Sequence, residues 1–183
     1  VPGNPSRALA DCLRKCQHLG IPASQSVLLV VVADQTVCLV EKCCGAWHLD
    51  GKIRPCSTSR FGISQIEGSN GTPLGLHRVA EKIGGGWPVG TAFKGRRPVG
   101  YNWRGMPDAK ITTRILWLEG LEPGFNRGGE VDSHGRYIYF HGTGDETTIG
   151  RPASYGCIHL KADDLVPLFD KLPGGTLVWI AER

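Results

Sequence analysis

Glycine and proline punctuate this chain too densely for a helical bundle. Of its 183 residues, 26 are glycine and 12 are proline, and the glycine share is about twice the ~7% of an average protein. Glycine opens left-handed backbone to turns, and proline interrupts helices and sheet ladders alike. The apolar residues between them come in short runs. The longest, Val27 to Ala33, has seven residues, far below the ~20 that a membrane-spanning helix needs. Many short strands joined by turns are therefore expected.

At ~100–200 residues per domain, the length predicts one compact domain, large enough to bury a core without disulfides or metals. Basic and acidic residues number 21 and 17 for a net charge of +4. They are scattered rather than blocked, which argues against a nucleic-acid partner. The chain begins without a basic stretch followed by an apolar one, so no signal peptide is visible in it.

Residues 6–19 read as a helix, with Ser6 as N-cap, Ala8, Leu9, Cys12, Leu13 and Cys16 at helical spacing, and Gly20 and Pro22 as stops. The period then changes. Val27 to Val32 predicts a buried strand, Asp34-Gln35 a turn, and Thr36 to Cys43 the returning strand. A second hairpin is expected from Trp47 to Leu49 and Ile53 to Ser57, hinged at Asp50-Gly51. Leu74 to Ile83 is a further strand, and 84–110, rich in Gly, Pro and Arg, reads as a long loop or flap. Strands return at Arg114 to Leu118, Tyr137 to His141 and Leu177 to Ile180, with a second helix from Asp163 to Leu172. The expectation is one mostly β domain with two peripheral helices, residues 1–26 forming a helical extension.

The densest chemistry lies in His141-Gly142-Thr143 and Ser154-Tyr155-Gly156-Cys157-Ile158-His159, with Cys157 sixteen residues after His141. A nucleophilic cysteine needs thiolate, and a free thiol with a pKa of ~8.5 supplies only a few per cent at neutral pH. A neighbouring imidazole raises that fraction. Gly156 would let backbone N–H groups approach a developing oxyanion. From spacing alone, a buried structural cysteine near a satisfied histidine is an equal reading.

These segments, with Gly71-Thr72-Pro73-Leu74-Gly75 and His77-Arg78-Val79 before them, closely resemble the L,D-transpeptidase catalytic domain, the YkuD-like family. The resemblance runs from about Val27 to Ile180 and marks 27–183 as the catalytic domain. It implies a β-sandwich-like fold and a cysteine peptidyltransferase acting on peptidoglycan stem peptides in the periplasm or cell envelope, without a cofactor. By the same resemblance Cys157 is the nucleophile and His141 the base, within hydrogen-bond reach of each other, and the Gly142 carbonyl orients the imidazole. Tyr155, Gly156 and Cys157 would offer oxyanion N–H groups, and Ser154, His159 and His77 would contribute to substrate binding. Water in place of an acceptor amine would make the enzyme an L,D-carboxypeptidase. A chain keeping only the cleft would be a peptidoglycan-binding module.

This chain departs from the pattern twice. Tyr155 stands where family members often carry His, and His159 where they commonly carry Arg or Asn. A papain-like protease does not fit, because His141 precedes Cys157. Trp87, Tyr101 and Trp103 would cover the site or pack under the long loop. Cys12 and Cys16 share a helix face, but without a C-x-x-C element a zinc site is the weaker reading. Six cysteines beside Cys157 fit up to three disulfides in an oxidising compartment, the connectivity left open.

Overall fold

The structure is a computed structural model that describes residues 5–183, and strands dominate it as the turn-rich sequence predicts. Helix α1 (Pro5–Leu19) begins on a proline, whose fixed φ suits a first helical turn. Ser6 therefore lies inside the helix rather than at its N-cap. Strands β1 (Ser26–Val31) and β2 (Thr36–Cys43) form the expected hairpin, Val27 facing Val40 and Val31 facing Thr36.

The second hairpin does not form. Asp50-Gly51 lies within one strand, β3 (Ala46–Ser57). The register with β2 shifts between the pairs Cys38–Ile53 and Val40–Leu49, and Gly51 takes a φ of 81° there. The extra residues are absorbed as a bulge, which bends a strand without reversing it. Arg54 holds Asp50 across that bulge.

Next come β4 (Gly75–Ile83), β5 (Thr91–Lys94), β6 (Arg97–Tyr101) and β7 (Thr112–Gly120). Segment 84–110 thus contains a hairpin where a loop is expected. Its turn, Gly95-Arg96, has φ values of 56° and 66°, the positive pair of a type I′ turn. Arginine is an unusual residue for that position, so the turn carries little sequence signal. The last elements are β8 (Tyr139–Gly142), β9 (Ile158–Leu160), α2 (Ala162–Lys171) and β10 (Leu177–Ala181).

The strands run in the order β4-β10-β1-β2-β3-β9-β8-β7-β5-β6, and β4 also pairs with β7, so the sheet closes on itself. Strand β1 is buried on both faces, which explains its unbroken apolar run. Leu28 and Val30 face the main core with Leu165, Leu168 and Phe169 of α2. Val27 and Leu29 face a second cluster with Ala8, Cys12 and Cys16 of α1, one helical stripe. An ion pair of 2.7 Å between Lys15 and Glu122 ties α1 to the segment after β7. The site lies farther along the sheet, where β8 and β9 run parallel.

Candidate active site

Apolar pairing carries His141 into place. Its neighbours on β8, Phe140 and Tyr139, are buried, and the strand is held between β7, with Ile115 opposite His141, and β9, with His159 opposite His141. The imidazole is 3% exposed. Its Nδ1 lies 2.8 Å from the Gly142 carbonyl oxygen. A carbonyl only accepts, so Nδ1 carries the proton and Nε2 keeps its lone pair. Burial lowers the pKa to about 4, against the opposing pull of that carbonyl, so the ring is neutral at neutral pH. Gly142 has no room for a side chain, because a Cβ there would lie 2.8 Å from Thr112 Oγ1 and 3.0 Å from Thr112 O.

Cys157 ends a tight turn that its own polar groups close. Ser154 Oγ donates to the Cys157 carbonyl at 2.6 Å and accepts from the Gly156 N–H at 3.2 Å. That bond commits the Gly156 N–H to the turn, removing it from the expected oxyanion donors. Gly156 has a φ of 118°, and a Cβ would lie 3.2 Å from the Gly71 carbonyl, so only glycine fits comfortably. Thr72, fully buried, buttresses the turn by donating from Oγ1 to the Gly156 carbonyl at 3.0 Å. Arg136 pins the same segment with bonds to the carbonyls of Ser64 (3.1 Å), Gln65 (2.8 Å) and Gly71 (2.7 Å).

The Cys157 thiol donates to the Tyr137 carbonyl at 3.3 Å. No hydrogen bond joins it to His141, so the expected direct contact is not made here. Tyr137 has a φ of 58°, a costly conformation for a bulky residue, and this turns its carbonyl under the sulfur. Burial pushes the thiol up to about 11, against the Tyr139 backbone N–H and the Arg136 charge. At rest the group is a thiol.

His141, Cys157, Tyr155 and His159 line one cavity of about 490 Å³, within the usual range for small-ligand sites. Segment 84–110 does reach it, through Asp108 and Lys110. The aromatic trio of that segment lies elsewhere: Tyr101 stacks on Trp103 at 4.8 Å beside the β5–β6 hairpin. Tyr155 stands exposed at the mouth, with the Arg60 guanidinium 4.3 Å above its ring and the Lys110 ammonium 5.5 Å away. Thr72, Arg136, Asp108, Lys110 and Asp145 carry no assigned role in the sequence reading. Only Thr72 has a local signal, its place before Pro73.

His77 does not reach the cleft, contrary to expectation. It is fully buried, with Nδ1 3.0 Å from the Gly75 carbonyl and Nε2 2.9 Å from Ser133 Oγ. The alternation of β4 sends Arg78 outward instead, where it pairs with Glu119.

Residues 25–180 match the model of the YkuD family, the L,D-transpeptidase catalytic domain. The chain is 36% identical over 78 residues to the Bacillus subtilis protein named "Putative L,D-transpeptidase YqjB", a match covering 43% of this chain and 39% of that protein. The fold is similar to that of Bdellovibrio bacteriovorus Bd1075, with a TM-score of 0.60, 16% identity, and coverage of 88% of this chain and 49% of that one. It is also similar to L,D-transpeptidase 3 from Mycobacterium tuberculosis in complex with a faropenem-derived adduct, with a TM-score of 0.52, 16% identity, and coverage of 86% and 60%. Each of these matches takes in less than two thirds of the relative's own length.

Proposed function

Because the chain belongs to the L,D-transpeptidase catalytic domain family, we propose that it cleaves peptidoglycan tetrapeptide stems through a thioester on Cys157 and passes the acyl group to an acceptor amine in the cell envelope. One observation carries this reading. His141, its Nδ1 anchored on Gly142, shares a cavity with Cys157 while its Nε2 has no protein partner among the described residues.

The chemistry follows from that open nitrogen. Substrate entry draws the thiol from the Tyr137 carbonyl toward His141, and Nε2 takes the thiol proton as sulfur attacks the carbonyl before the terminal D-alanine. The Gly142 carbonyl then accepts from an imidazolium, which favours the charged form as it appears. The N–H groups of Tyr155 and Cys157 are the donors left in the turn to meet the oxyanion. The C–N bond breaks, the departing amine takes the proton from Nε2, and the thioester remains. An acceptor amine then attacks it, one of its protons passes through His141 to the leaving sulfur, and a new amide forms. A thiol displaced to about 11 fits proton transfer concerted with attack better than a resting thiolate.

The test is product analysis on defined stem peptides. Release of D-alanine with an amine-dependent cross-linked product supports transfer. Release without that product, whatever amine is added, makes water the acceptor. No release from protein with reduced Cys157 removes the catalytic reading.

A further inference from the structure

Strand β7 changes register beside the imidazole. Thr112 pairs with Gly142 and Ile115 with His141, so two extra residues, Thr113 and Arg114, stand between neighbouring partners on β8. Thr113 takes a φ of 71° there, an outlier for a β-branched side chain. Its neighbours hold it in that conformation. Arg114 donates from Nη1 to the Thr113 carbonyl at 2.6 Å and to the Trp87 carbonyl at 2.9 Å. The Thr113 hydroxyl accepts from the Gly90 N–H at 3.2 Å. Thr112 and Thr113 are both buried, so this costly backbone belongs to the packed interior and not to a loop tip.

The bulge presses on Gly142. A Cβ there would meet Thr112 Oγ1 at 2.8 Å, Thr112 O at 3.0 Å and Thr113 Oγ1 at 3.1 Å. Thr113 Oγ1 also lies 3.4 Å from Thr112 Oγ1, so its side chain backs the one that touches Gly142. The Gly142 carbonyl is in turn the acceptor that keeps the His141 proton on Nδ1. Bulges beside active sites re-aim groups in this way, and strained residues that their surroundings over-determine collect there.

We infer that Thr113 is a positioning residue for His141: its strained bulge fixes the Gly142 peptide, which fixes the tautomer of the imidazole and leaves Nε2 open to the cavity as an acceptor. The catalytic consequence rests on the transpeptidase reading above. A Gly142 peptide freed from the bulge can rotate, and Nδ1 then loses its acceptor. The proton divides between the two nitrogens, and a ring protonated at Nε2 cannot take the thiol proton. For stability alone glycine would serve better at this position, because it adopts a positive φ without strain.

The experiment reads the tautomer directly. Imidazole nitrogen NMR resonances of histidine-labelled protein are recorded at neutral pH, with His141 assigned by its absence in His141→Gln. The unsubstituted chain, Thr113→Gly, Thr113→Val and Thr113→Ser are compared, with kcat and KM for D-alanine release measured on each. The unsubstituted chain should show His141 protonated at Nδ1. Thr113→Gly and Thr113→Val, which lose the hydroxyl, should show a mixture of tautomers. Their kcat should fall roughly 10-fold with KM unchanged, inside the ~10²-fold that a misplacement of about 1 Å can cost. Thr113→Ser keeps the hydroxyl and should restore both readouts. Full Nδ1 protonation in Thr113→Gly and Thr113→Val, or a Thr113→Ser as altered as Thr113→Val, overturns the inference. Thr113→Val and Thr113→Ser carry the comparison if Thr113→Gly fails to fold. Absence of D-alanine release from the unsubstituted chain removes the transpeptidase reading, while the tautomer result still decides this inference.

Discussion

Two histidines, on β4 and β8, begin from nearly the same physics and end in different roles. His77 and His141 are 0% and 3% exposed, and burial lowers the pKa of each to about 4. Each sets Nδ1 against a backbone carbonyl, Gly75 O at 3.0 Å and Gly142 O at 2.8 Å. The difference is at Nε2. In His77 it meets Ser133 Oγ at 2.9 Å, and the ring is a finished part of the interior. In His141 it opens on the cavity that Cys157 shares. Desolvation and a displaced pKa therefore do not by themselves single out a candidate base, because a structural histidine has both. An unfilled valence facing space does.

The cysteines repeat the contrast. Cys12, Cys38 and Cys56 are buried in closed packing. The Cys56 thiol is pushed up by burial first, and that of Cys12 chiefly by its contact with Cys16. Burial pushes Cys157 up too, but its sulfur lies on a cavity wall.

The largest expected effect separates Cys157 from the rest. A carbapenem, whose strained ring opens on attack, should add once to the protein, and Cys157→Ala should abolish that adduct in intact-protein mass spectrometry. An adduct persisting in Cys157→Ala would place the reactive thiol among the other six, and the contrast would collapse.

The two histidines come next. His141→Ala should slow acylation by ~10²–10⁴-fold in the fraction that stays folded. His77→Ala should instead lower stability by ~1–3 kcal/mol, through Ser133 and Gly75 losing their partner, while the folded fraction acylates at the normal rate. Stopped-flow acylation beside thermal melts reads both. A catalytic loss in His77→Ala without unfolding would erase the distinction.

Acidification affects these rings, and His159 with them, through stability. His77, His141 and His159 have native values of about 4, 4 and 3, against ~6.5 for an unfolded histidine. Below ~6.5 the unfolded chain takes up protons that the native chain refuses, so stability is complete above that pH and falls as the pH drops toward 4. Denaturant melts at several pH values should show this loss, and His77→Phe should make it shallower. An unchanged pH slope in His77→Phe would mean that His77 does not resist protonation in the native state.

The smallest effect is expected on α1. Replacing Cys12 and Cys16 together with alanine should cost ~0.5–3 kcal/mol and leave the carbapenem adduct intact. Loss of acylation by a folded double variant would show that α1 is coupled to the site.

Much was legible before any folding. The apolar run of β1, the return in β2, the stripe of α1 and the closing strand all follow from residue spacing. The segments around His141 and Cys157 stood out because they gather His141, Cys157 and His159 beside Gly142 and Gly156 within nineteen residues and match the family's motifs; the turn that Ser154 closes and the crowding at Gly142 emerged only on folding. Less was legible where the cause lay elsewhere in the chain. Asp50-Gly51 carries the residues of a turn, but pairing with β2 and the Arg54 contact make it a bulge. Strand β9 has three residues, too few for a periodic signal, and exists because β3 and β8 flank it.

By itself, then, the sequence determined the strand-rich fold, the order of its main elements and the pair of segments that meet at the candidate site. These depend on local periodicity, turn propensity and residue type, which the chain holds wherever it folds. Only the tertiary structure decided that His77 fills both ring nitrogens while His141 leaves Nε2 open to the cavity. It also turned the Cys157 thiol toward the Tyr137 carbonyl and packed His159 against His141. Those outcomes depend on which polar groups distant segments bring within about 3 Å of one another, and hydrogen bonding is too short in range to be read from spacing along a chain.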